Sequence, residues 1–470
     1  MISSSHSFKE HFSTEVSFPQ VFFKATSQFN KTALVDAEDT VGVSFNELIE
    51  MTNGYESFLF SYLKKGKEKL VVTICGNSLK FLSITLAITK LGYCVVPLNP
   101  SLKKYEIVNS LEDLEVNCII TDRFDAHKFL QKTDKLITLH EIQGCATVVP
   151  IPPTFDRSHP AFIFFSSGTT GASKGIEISH GSVIALFNQL RSSSGTSSFN
   201  FTTVDQNDKV YGVLPYFHVG GLFTTYSMLF FGATVYINDK WDPKLFLNNI
   251  VENEITTLNL VPPVLQVFEK MRPNLPHLKK VFVGASKVDP NQIYRLKRAY
   301  PSMMFIQLYG MTEVGLIMFM TPAENDDASK VGIAFPGIQA KIVNQELLIK
   351  SPTMMSRYTH ESNLYNKKDW FHTGDLVECC SDNQLRIIGR KKNMIKVRAW
   401  QINPEEVEDM IAKKINVETV LHSREFKHDM KLILQTSTRP EFIRSLIQEN
   451  LISYKHAFWI IRSSHSSSKS

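Results

Sequence analysis

The chain has 470 residues, more than a single hydrophobic core usually holds, so we expect two or more domains. A formal net charge of +5 is mild for this length and excludes the strongly basic surface typical of nucleic-acid-binding proteins. The six cysteines lie at positions 75, 94, 118, 145, 379 and 380 without metal-ligand spacing. This usage favours a reducing, cytoplasmic compartment, and the start, MISSSHSFKEHF, contains no apolar signal core.

Short apolar strands alternate with helical patterns through the first 121 residues. Residues 33–49 predict a strand, a turn, a second strand and a helix that begins after Ser44, because Ser44 and Glu47 have capping-box spacing. Further strands are predicted at 70–74, 93–98 and 118–121, and helices at 80–91 and 105–111. This alternation predicts an α/β fold with doubly wound parallel sheets.

The stretch AFIFFSSGTTGASKG, residues 161–175, combines a predicted buried strand with a run of small and hydroxyl-bearing residues. Backbone amides, hydroxyls and an ammonium group are the donors that a polyphosphate needs, although a solvated Ser/Gly turn is the alternative. The common Walker pattern is not followed, because Ser173 stands where its second glycine belongs. The candidate phosphate-binding residues are Ser166, Ser167, Gly168, Thr169, Thr170, Gly171 and Lys174.

Two further stretches indicate a pocket. Residues 211–221, YGVLPYFHVGG, place His218 after two aromatic residues and near two glycines, so this histidine either lines a pocket or is structural. The uncharged run 219–237 contains glycines and favours a buried helix and a strand over a membrane span. Residues 281–286 end a predicted strand in small residues, which form either a close-packed turn or backbone open to a ligand. These small residues are Gly284, Ala285 and Ser286.

A predicted strand in FIQLYGMTEVG, residues 305–315, ends at Tyr309 and Gly310. Thr312 and Glu313 follow at the strand edge where α/β sheets bind ligands. A carboxylate beside a triphosphate is a natural Mg²⁺ ligand, although a Thr-Glu pair also begins helices.

The stretches WFHTGDL, residues 370–376, and GRKKNMIKVRAWQINPEEVE, residues 389–408, follow. Asp375 can accept hydrogen bonds from vicinal hydroxyls, as acidic residues do with ribose, or it can form a turn. The cation run that begins at Arg390 is also typical of a solvated hairpin.

In order and spacing, these motifs resemble the adenylate-forming (AMP-binding) superfamily of acyl-CoA synthetases, 4-coumarate–CoA ligases, luciferases and peptide-synthetase adenylation domains. The resemblance extends from the first strands to residues 454–455. It implies a large N-terminal domain over 1–388, with doubly wound sheets and a small β-barrel, and a small, shortened α+β C-terminal lid domain over 389–470. It also implies that ATP and Mg²⁺ activate a small carboxylic acid as an acyl-adenylate, which coenzyme A then converts to a thioester.

The resemblance also assigns roles to single residues. It places the candidate phosphate loop and Lys174 at the triphosphate, Thr312 at the α-phosphate and Glu313 at Mg²⁺. Tyr309 and Gly310 are expected at the adenine, and His218 in the acyl tunnel. The remaining assignments are Gly284, Ala285 and Ser286 for adenine and acyl contact, Asp375 and Arg390 for ribose, Lys392 for the hinge, Lys396 and Gln401 for the lid face, and Lys469 for the catalytic lysine by order.

The sequence departs from the family pattern in two places. Ala399 stands where the family nearly always has glycine, and Lys469 is followed only by Ser470. Two alternatives therefore stay open: an adenylating enzyme with an acceptor other than CoA, and a degenerate relative that binds ATP or an acyl-adenylate without turnover. The terminal Ser-Lys-Ser is similar to a peroxisomal Ser-Lys-Leu address but lacks its leucine. The 33 phenylalanines and Tyr216-Phe217 favour an aromatic or a medium-to-long aliphatic acid, as in fatty acid metabolism.

Overall fold

The computed structural model describes most of the chain before residue 392 and shorter pieces after it. The described residues are 2–3, 8–63, 69–123, 133, 135–144, 155–166, 174–194, 204–239, 241–322, 327–391, 395–397, 400–402, 419–426, 429–436, 440–450 and 459–462.

Ten α-helices are found in these residues. They are α1 (Phe18–Thr26), α2 (Phe45–Tyr62), α3 (Leu79–Lys90), α4 (Lys104–Ser110), α5 (His180–Ser193), α6 (Val219–Phe230), α7 (Pro243–Glu252), α8 (Pro262–Met271), α9 (Pro290–Ala299) and α10 (Pro440–Asn450).

Nine of these helices lie among the strands up to β14, and α10 lies between the last two strands. The first fourteen are β1 (Ile2–Ser3), β2 (Thr32–Asp36), β3 (Gly42–Ser44), β4 (Leu70–Ile74), β5 (Cys94–Pro97), β6 (Val116–Thr121), β7 (Leu136–Thr138), β8 (Pro160–Ser166), β9 (Lys174–Ser179), β10 (Lys209–Gly212), β11 (Thr234–Ile237), β12 (Thr257–Leu260), β13 (Lys280–Val283) and β14 (Met304–Tyr309). The others are β15 (Phe319–Met320), β16 (Lys330–Ala334), β17 (Gln339–Val343), β18 (Glu346–Lys350), β19 (Arg357–Tyr358), β20 (Phe371–Cys379), β21 (Leu385–Arg390), β22 (Ile395–Val397), β23 (Trp400–Ile402), β24 (Thr419–Phe426), β25 (Asp429–Thr436) and β26 (Trp459–Arg462).

The largest sheet has 14 strands in the order β1-β17-β18-β20-β21-β16-β15-β14-β13-β12-β10-β11-β2-β3. The strands from β14 to β2 are parallel to one another, as the alternation with helices predicts. The antiparallel strands, in the region where a small β-barrel is expected, join this sheet through the pairing of β14 with β15. Because parallel strands end at the same edge, the residues after β10, β12, β13 and β14 lie along one edge of the sheet.

A second sheet has seven strands in the order β19-β9-β8-β5-β4-β6-β7. Strands β8 and β9 form an antiparallel hairpin in which Ser166 lies opposite Lys174. The predicted buried strand at 161–165 is confirmed, since Ala161 is fully buried and Phe164 is 1% exposed. The hairpin therefore brings together the two ends of the predicted phosphate loop, whose residues 167–173 lie outside the described ones.

Local sequence signals also placed the helices correctly. Helix α2 begins after Ser44, whose hydroxyl accepts a hydrogen bond from the Glu47 amide while the Glu47 carboxylate accepts one from the Ser44 amide. The uncharged run 219–237 forms helix α6 and strand β11, as predicted. Within the part of the chain that the structure describes, no helix is long and apolar enough to cross a bilayer.

A buried ion pair fixes the starts of three neighbouring parallel strands. Lys280 Nζ, at the start of β13, lies 2.9 Å from Asp208 Oδ2, just before β10, and the two side chains are 12% and 8% exposed. The hydroxyls of Thr256 and Thr257, at the start of β12, donate to Asp208 Oδ1 over 2.7 and 3.0 Å. Burial alone raises the pKa of this carboxyl, but the Thr256, Asp205 and Lys280 contacts outweigh it and the pKa is lowered. The network therefore holds together the amino ends of β10, β12 and β13. The candidate site residues lie at the opposite, carboxyl-end edge of the same sheet.

We expect Asp208→Asn to lower the free energy of unfolding by about 3 kcal/mol, because Lys280 would stay buried without its counter-charge. Urea unfolding at pH 7 measures this loss. Because the pKa is lowered in the folded state, the contribution of Asp208 is present above pH ~4 and disappears as the pH falls further. The more exposed pair Lys209–Glu254 provides the control, and Glu254→Gln should leave the midpoint unchanged. Equal effects of the two variants would contradict this account.

Candidate active site

Asp375 is the centre of the first group of predicted nucleotide-binding residues. It lies in strand β20 with 5% of its surface exposed, rather than in the turn that its sequence also allows. The Tyr309 hydroxyl donates to Asp375 Oδ2 over 2.6 Å, and Arg390 Nε donates to Oδ1 over 2.6 Å. Burial and the adjacent carboxylate raise the pKa of Tyr309 well above its usual value, so its hydroxyl stays a donor. An ionised carboxylate has about four acceptor positions, so two remain for ligand hydroxyls.

Glu313 is the centre of a second group. It lies in a single 3₁₀ turn, Thr312–Val314, just after β14. The hydroxyl of Tyr358, in β19 of the other sheet, donates to Glu313 Oε1 over 3.2 Å. The ammonium group of Lys174 lies 5.0 Å from the centre of the Tyr358 ring, a cation–π distance. Tyr358 thus connects Lys174 of the seven-stranded sheet to Glu313 of the large sheet.

Electrostatics joins the two groups into one site. Burial raises the pKa of the Glu313 carboxyl, while the positive charges of Arg390 and Lys174 act in the opposite direction. Arg390 therefore influences Glu313 as well as its own partner Asp375. Among the described residues Lys174 forms no ion pair, so its charge remains available to an anion. One region thus contains the Lys174 ammonium group, the half-buried Glu313 carboxylate and the hydrogen-bonded Asp375 carboxylate.

Closely packed glycines border this region at the ends of β13 and β14. A Cβ on Gly310 would lie 1.7 Å from the carbonyl oxygen of Leu316, so no other residue fits there without movement. A Cβ on Gly284 would lie 2.7 Å from the Leu308 carbonyl oxygen. The next residue, Ala285, is exposed and has a left-handed φ of +68°, a conformation that is strained for a residue with a side chain. Ser286 follows on the same loop.

His218 immediately precedes helix α6. Burial lowers the pKa of His218 to about 4, so the imidazole is neutral near pH 7. Behind it, a small pocket lies between α6 and the face of the large sheet, with about 230 Å³ of empty space including the part open to solvent. Residues that line the pocket include Gly212, Gly220, Gly221, Thr225, Met228 and Asn259.

Some predicted residues are not placed relative to this site. Lys396 and Gln401 are opposite one another in the pairing of β22 with β23, and their assignment to a lid face stays a prediction. Residues 167–171 of the candidate phosphate loop, Lys392 and Lys469 lie outside the described residues, so their roles stay predictions.

Sequence reasoning missed Tyr358 and Asn259. Tyr358 lies in a stretch, RYTH, without a recognisable motif, and only the pairing of β19 with β9 brings it to Lys174. Asn259 follows an unremarkable strand pattern, TLNL, in which one polar residue between leucines was the available signal.

Comparison with known proteins identifies the family of this chain. The family model described as "AMP-binding enzyme" matches residues 22–359, most of the chain. The chain belongs to the AMP-binding enzyme family. Among its relatives, luciferin 4-monooxygenase of Photinus pyralis is 25% identical over 431 residues, covering 82% of this chain and 77% of that protein. The 4-coumarate–CoA ligase-like protein 4 of Oryza sativa subsp. japonica is 28% identical over 424 residues, covering 81% and 75%.

Solved structures share the fold of this AMP-binding family member. A double mutant of o-succinylbenzoate CoA synthetase from Bacillus subtilis has a TM-score of 0.83 at 20% identity, covering 96% of this chain and 95% of its own. The amide bond synthetase McbA of Marinactinospora thermotolerans has a TM-score of 0.79 at 18% identity, covering 95% and 96%. At these identities the similarity establishes the fold alone, and the predicted fold class is confirmed.

We expect His218→Gln to flatten the dependence of stability on pH. The folded-state pKa of about 4 lies below the ordinary value, so the unfolded chain binds the extra proton first and wild-type stability falls as the pH drops below 6.5. Between pH 7 and pH 5 this amounts to about 1–2 kcal/mol. Urea unfolding of both proteins at the two pH values measures the difference. His180, which is fully buried with a pKa of about 3, is present in both proteins, and its contribution cancels. Parallel pH profiles would contradict the assignment.

Proposed function

We propose that this AMP-binding enzyme is an ATP-dependent acid–thiol ligase, which converts a carboxylic acid to an acyl-adenylate and then to a CoA thioester. The observation that carries the proposal is the connected set of Lys174, Tyr358 and Glu313 beside Tyr309 and Asp375. Relatives named as CoA ligases support the choice of thiol. A structural neighbour described as a malonyl-CoA ligase has methylmalonyl-CoA and AMP bound.

The nucleotide would occupy the edge of the large sheet. The two remaining acceptor positions of Asp375 suit the vicinal hydroxyls of ribose, and the hydrogen bond from Arg390 keeps that carboxylate oriented. The ring of Tyr309, which is half-buried at the same edge, would stack on a flat base. With the ribose fixed, the α-phosphate would be held beside Thr312. This contribution is the orientation of the reacting phosphate and not a chemical step.

The carboxylate oxygens of Glu313 suit a Mg²⁺ ion that also binds phosphate oxygens. The described residues contain no group of three His, Cys, Asp or Glu side chains suited to a metal. Mg²⁺ commonly takes one or two carboxylates together with substrate phosphates, so a single carboxylate is sufficient. Glu313 would hold the ion, which when bound would neutralise charge on the phosphates. Tyr358 would keep the carboxylate oriented by its hydrogen bond.

Two anions must meet in the first step, because the carboxylate of the acid attacks the α-phosphorus of ATP and pyrophosphate leaves. The ammonium group of Lys174 would neutralise part of this charge at the phosphates. In the second step the thiolate of CoA attacks the carbonyl carbon of the adenylate and AMP leaves. The neutral His218 would border the acyl group without adding charge.

The acceptor is the least constrained part of the proposal. Its alternatives are a carrier-protein thiol, an amine or oxygen, and relatives or neighbours include a luciferin 4-monooxygenase and an amide bond synthetase. Ala399, in place of the usual glycine, is the sequence feature that keeps these alternatives open.

We further propose that residues 389–470 form a lid that turns about Lys392 between the two steps.

Carboxylate-dependent exchange of labelled pyrophosphate into ATP tests the first step, and detection of acyl-CoA tests the second. The proposal expects both with at least one acid of a broad panel. Exchange without thioester would move the acceptor away from CoA. ATP binding without exchange on any acid would support the degenerate, binding-only alternative.

We expect Glu313→Gln to lower pyrophosphate exchange by about 100-fold or more and to raise the Mg²⁺ concentration needed for half-maximal rate, because the variant lacks the carboxylate charge. Glu361→Gln is the matched control, since Glu361 is exposed in the same neighbourhood and has no assigned role. Exchange by Glu313→Gln at the rate of the control would remove Glu313 from the mechanism.

Gly220→Ala tests whether the pocket behind His218 takes the acid. A Cβ at Gly220 meets nothing within 4 Å, so the variant should fold with unchanged or higher stability. The added methyl group would occupy the pocket and raise KM for the acid about tenfold or more, with KM for ATP unchanged. At the neighbouring Gly221 a Cβ would lie 2.1 Å from the Pro215 carbonyl oxygen, so Gly221→Ala should instead lose stability. An unchanged KM for the acid in Gly220→Ala would exclude this pocket.

A further inference from the structure

Strand β19 carries Tyr358 to the candidate active site, although the strand has only two residues and lies at the edge of the seven-stranded sheet. On either side of it, the Ser356 amide donates to the Glu177 carbonyl over 2.7 Å, and the Thr359 amide donates to the Gly175 carbonyl over 2.8 Å. So short a backbone pairing does little to specify its own register. The side chains must therefore help to fix which residues of β19 and β9 lie opposite one another.

The register decides which face of the sheet Tyr358 occupies. Successive residues of a strand point to opposite faces, so Lys174 and Ile176 of β9 share one face and Glu177 occupies the other. Tyr358 lies opposite Ile176 and packs with it in the same hydrophobic core, on the Lys174 face. Arg357 lies opposite Glu177 on the other face. A slip of β19 by one residue would move the Tyr358 ring to the face away from Lys174.

Arg357 and Glu177 form an ion pair on that second face. Glu177 is only 4% exposed, and the residue opposite it on β8 is Ile163, a member of a separate hydrophobic core. Arg357 Nε and Nη2 each lie 3.0 Å from Glu177 Oε2. Among the described residues no other cation pairs with Glu177. Loss of the guanidinium would therefore leave a buried carboxylate without a counter-charge, which strongly destabilises a folded protein.

The ion pair favours a single register of β19. In a pairing slipped by one residue, the Arg357 guanidinium would face the apolar core that contains Ile176, and Glu177 would stay buried without a partner. In the observed pairing the two charges meet at the sheet edge, where 36% of the Arg357 side chain is exposed. This is also the register that brings the Tyr358 ring to Lys174.

We propose that Arg357 is a positioning residue, whose ion pair with Glu177 holds the Tyr358 phenol at the active site. The inference rests on the proposed function, because the geometry that it preserves is that of the triphosphate and magnesium groups, Lys174 and Glu313. Arg357 points to the opposite face of the sheet. It therefore acts on the site through the strand and not by direct contact.

Pyrophosphate exchange by the full chain tests this role. Arg357→Met should lower kcat about tenfold or more, because small displacements of positioning groups are costly in catalysis. It should also raise the Mg²⁺ concentration needed for half-maximal rate, because Tyr358 would no longer orient the Glu313 carboxylate. Arg357→Lys keeps the charge, so its loss should stay below about threefold.

Lys90→Met is the matched control for lost stability. Lys90 Nζ lies 2.6 Å from Glu56 Oε2, and the two side chains are 33% and 6% exposed, against 36% and 6% for Arg357 and Glu177. Both single variants leave a buried carboxylate unpaired, so both should lower the midpoint of urea unfolding. Only Arg357→Met should change exchange and the Mg²⁺ requirement. Equal exchange by the two variants would overturn the inference.

The double variant Glu177→Met/Arg357→Met separates positioning from stability. It removes both charges, so its unfolding midpoint should return toward that of the wild type. An apolar pair fits either face of the sheet and no longer selects the register, so exchange should stay low. Recovery of the exchange rate together with the midpoint would show a purely structural role and would overturn the inference.

A double-mutant cycle shows whether Arg357 acts through Tyr358. Tyr358→Leu removes the phenol and keeps an apolar side chain in the core. If Arg357 acts by placing the phenol, adding Arg357→Met to Tyr358→Leu should lower exchange by less than about threefold further. Losses that multiply in the cycle would contradict the inference and leave the ligase function standing.

Calorimetric titration with MgATP decides the inference if no acid of the panel supports exchange. Binding to Arg357→Met that is at least about fivefold weaker than binding to Lys90→Met would support the positioning role without any turnover. Equal binding to the two variants would overturn it. If the wild type does not bind MgATP, both the proposed function and this inference are wrong.

Discussion

One phenol group links the two sheets at the candidate active site. Tyr358 presents its ring to the Lys174 ammonium and its hydroxyl to the Glu313 carboxylate. Had lysine and glutamate met directly, they would form an ion pair that any triphosphate or metal would have to break. The intervening phenol keeps the two charges within electrostatic reach while each retains capacity for a ligand. The placement of this tyrosine therefore decides whether the site is available for binding or closed on itself.

A different arrangement serves Asp375, which is already hydrogen-bonded to Tyr309 and Arg390. These contacts fix the orientation of the carboxylate without using all of its acceptor positions. The raised pKa of Tyr309 keeps the phenol a donor, so the orientation does not change across the pH range in which the carboxylate is ionised. The carboxylate is therefore already ordered in the folded protein. A ligand with two hydroxyls would lose no binding free energy to fixing its orientation.

Local patterns predicted the elements better than they predicted the site. The cap at Ser44 and the strand at 161–165 depend on neighbouring residues, and both were found as expected. The contact of Tyr358 with Lys174 depends instead on the pairing of strands about 180 residues apart, which no window of sequence contains. The Thr-Gly-Asp segment has the composition of a turn, yet Asp375 lies in strand β20, because cross-strand pairing with Arg390 outweighs local preference. Charged motifs were therefore recognisable, whereas the aromatic residue that organises them was not.

The pocket behind His218 shows the same division between folding and function. Folding alone would favour a leucine at Asn259, since the neighbouring positions 258 and 260 are leucines and the amide oxygen has no partner among the described residues. It would equally favour alanine at Gly220, where a side chain meets open space. Ala285 adds a third departure, with a left-handed backbone at the exposed end of β13. Residues that violate local preferences for packing, hydrogen bonding or backbone conformation without stabilising the fold are concentrated at ligand-binding sites. That all three departures lie on the strands and helix bordering one edge of the large sheet is an argument for that edge independent of any motif.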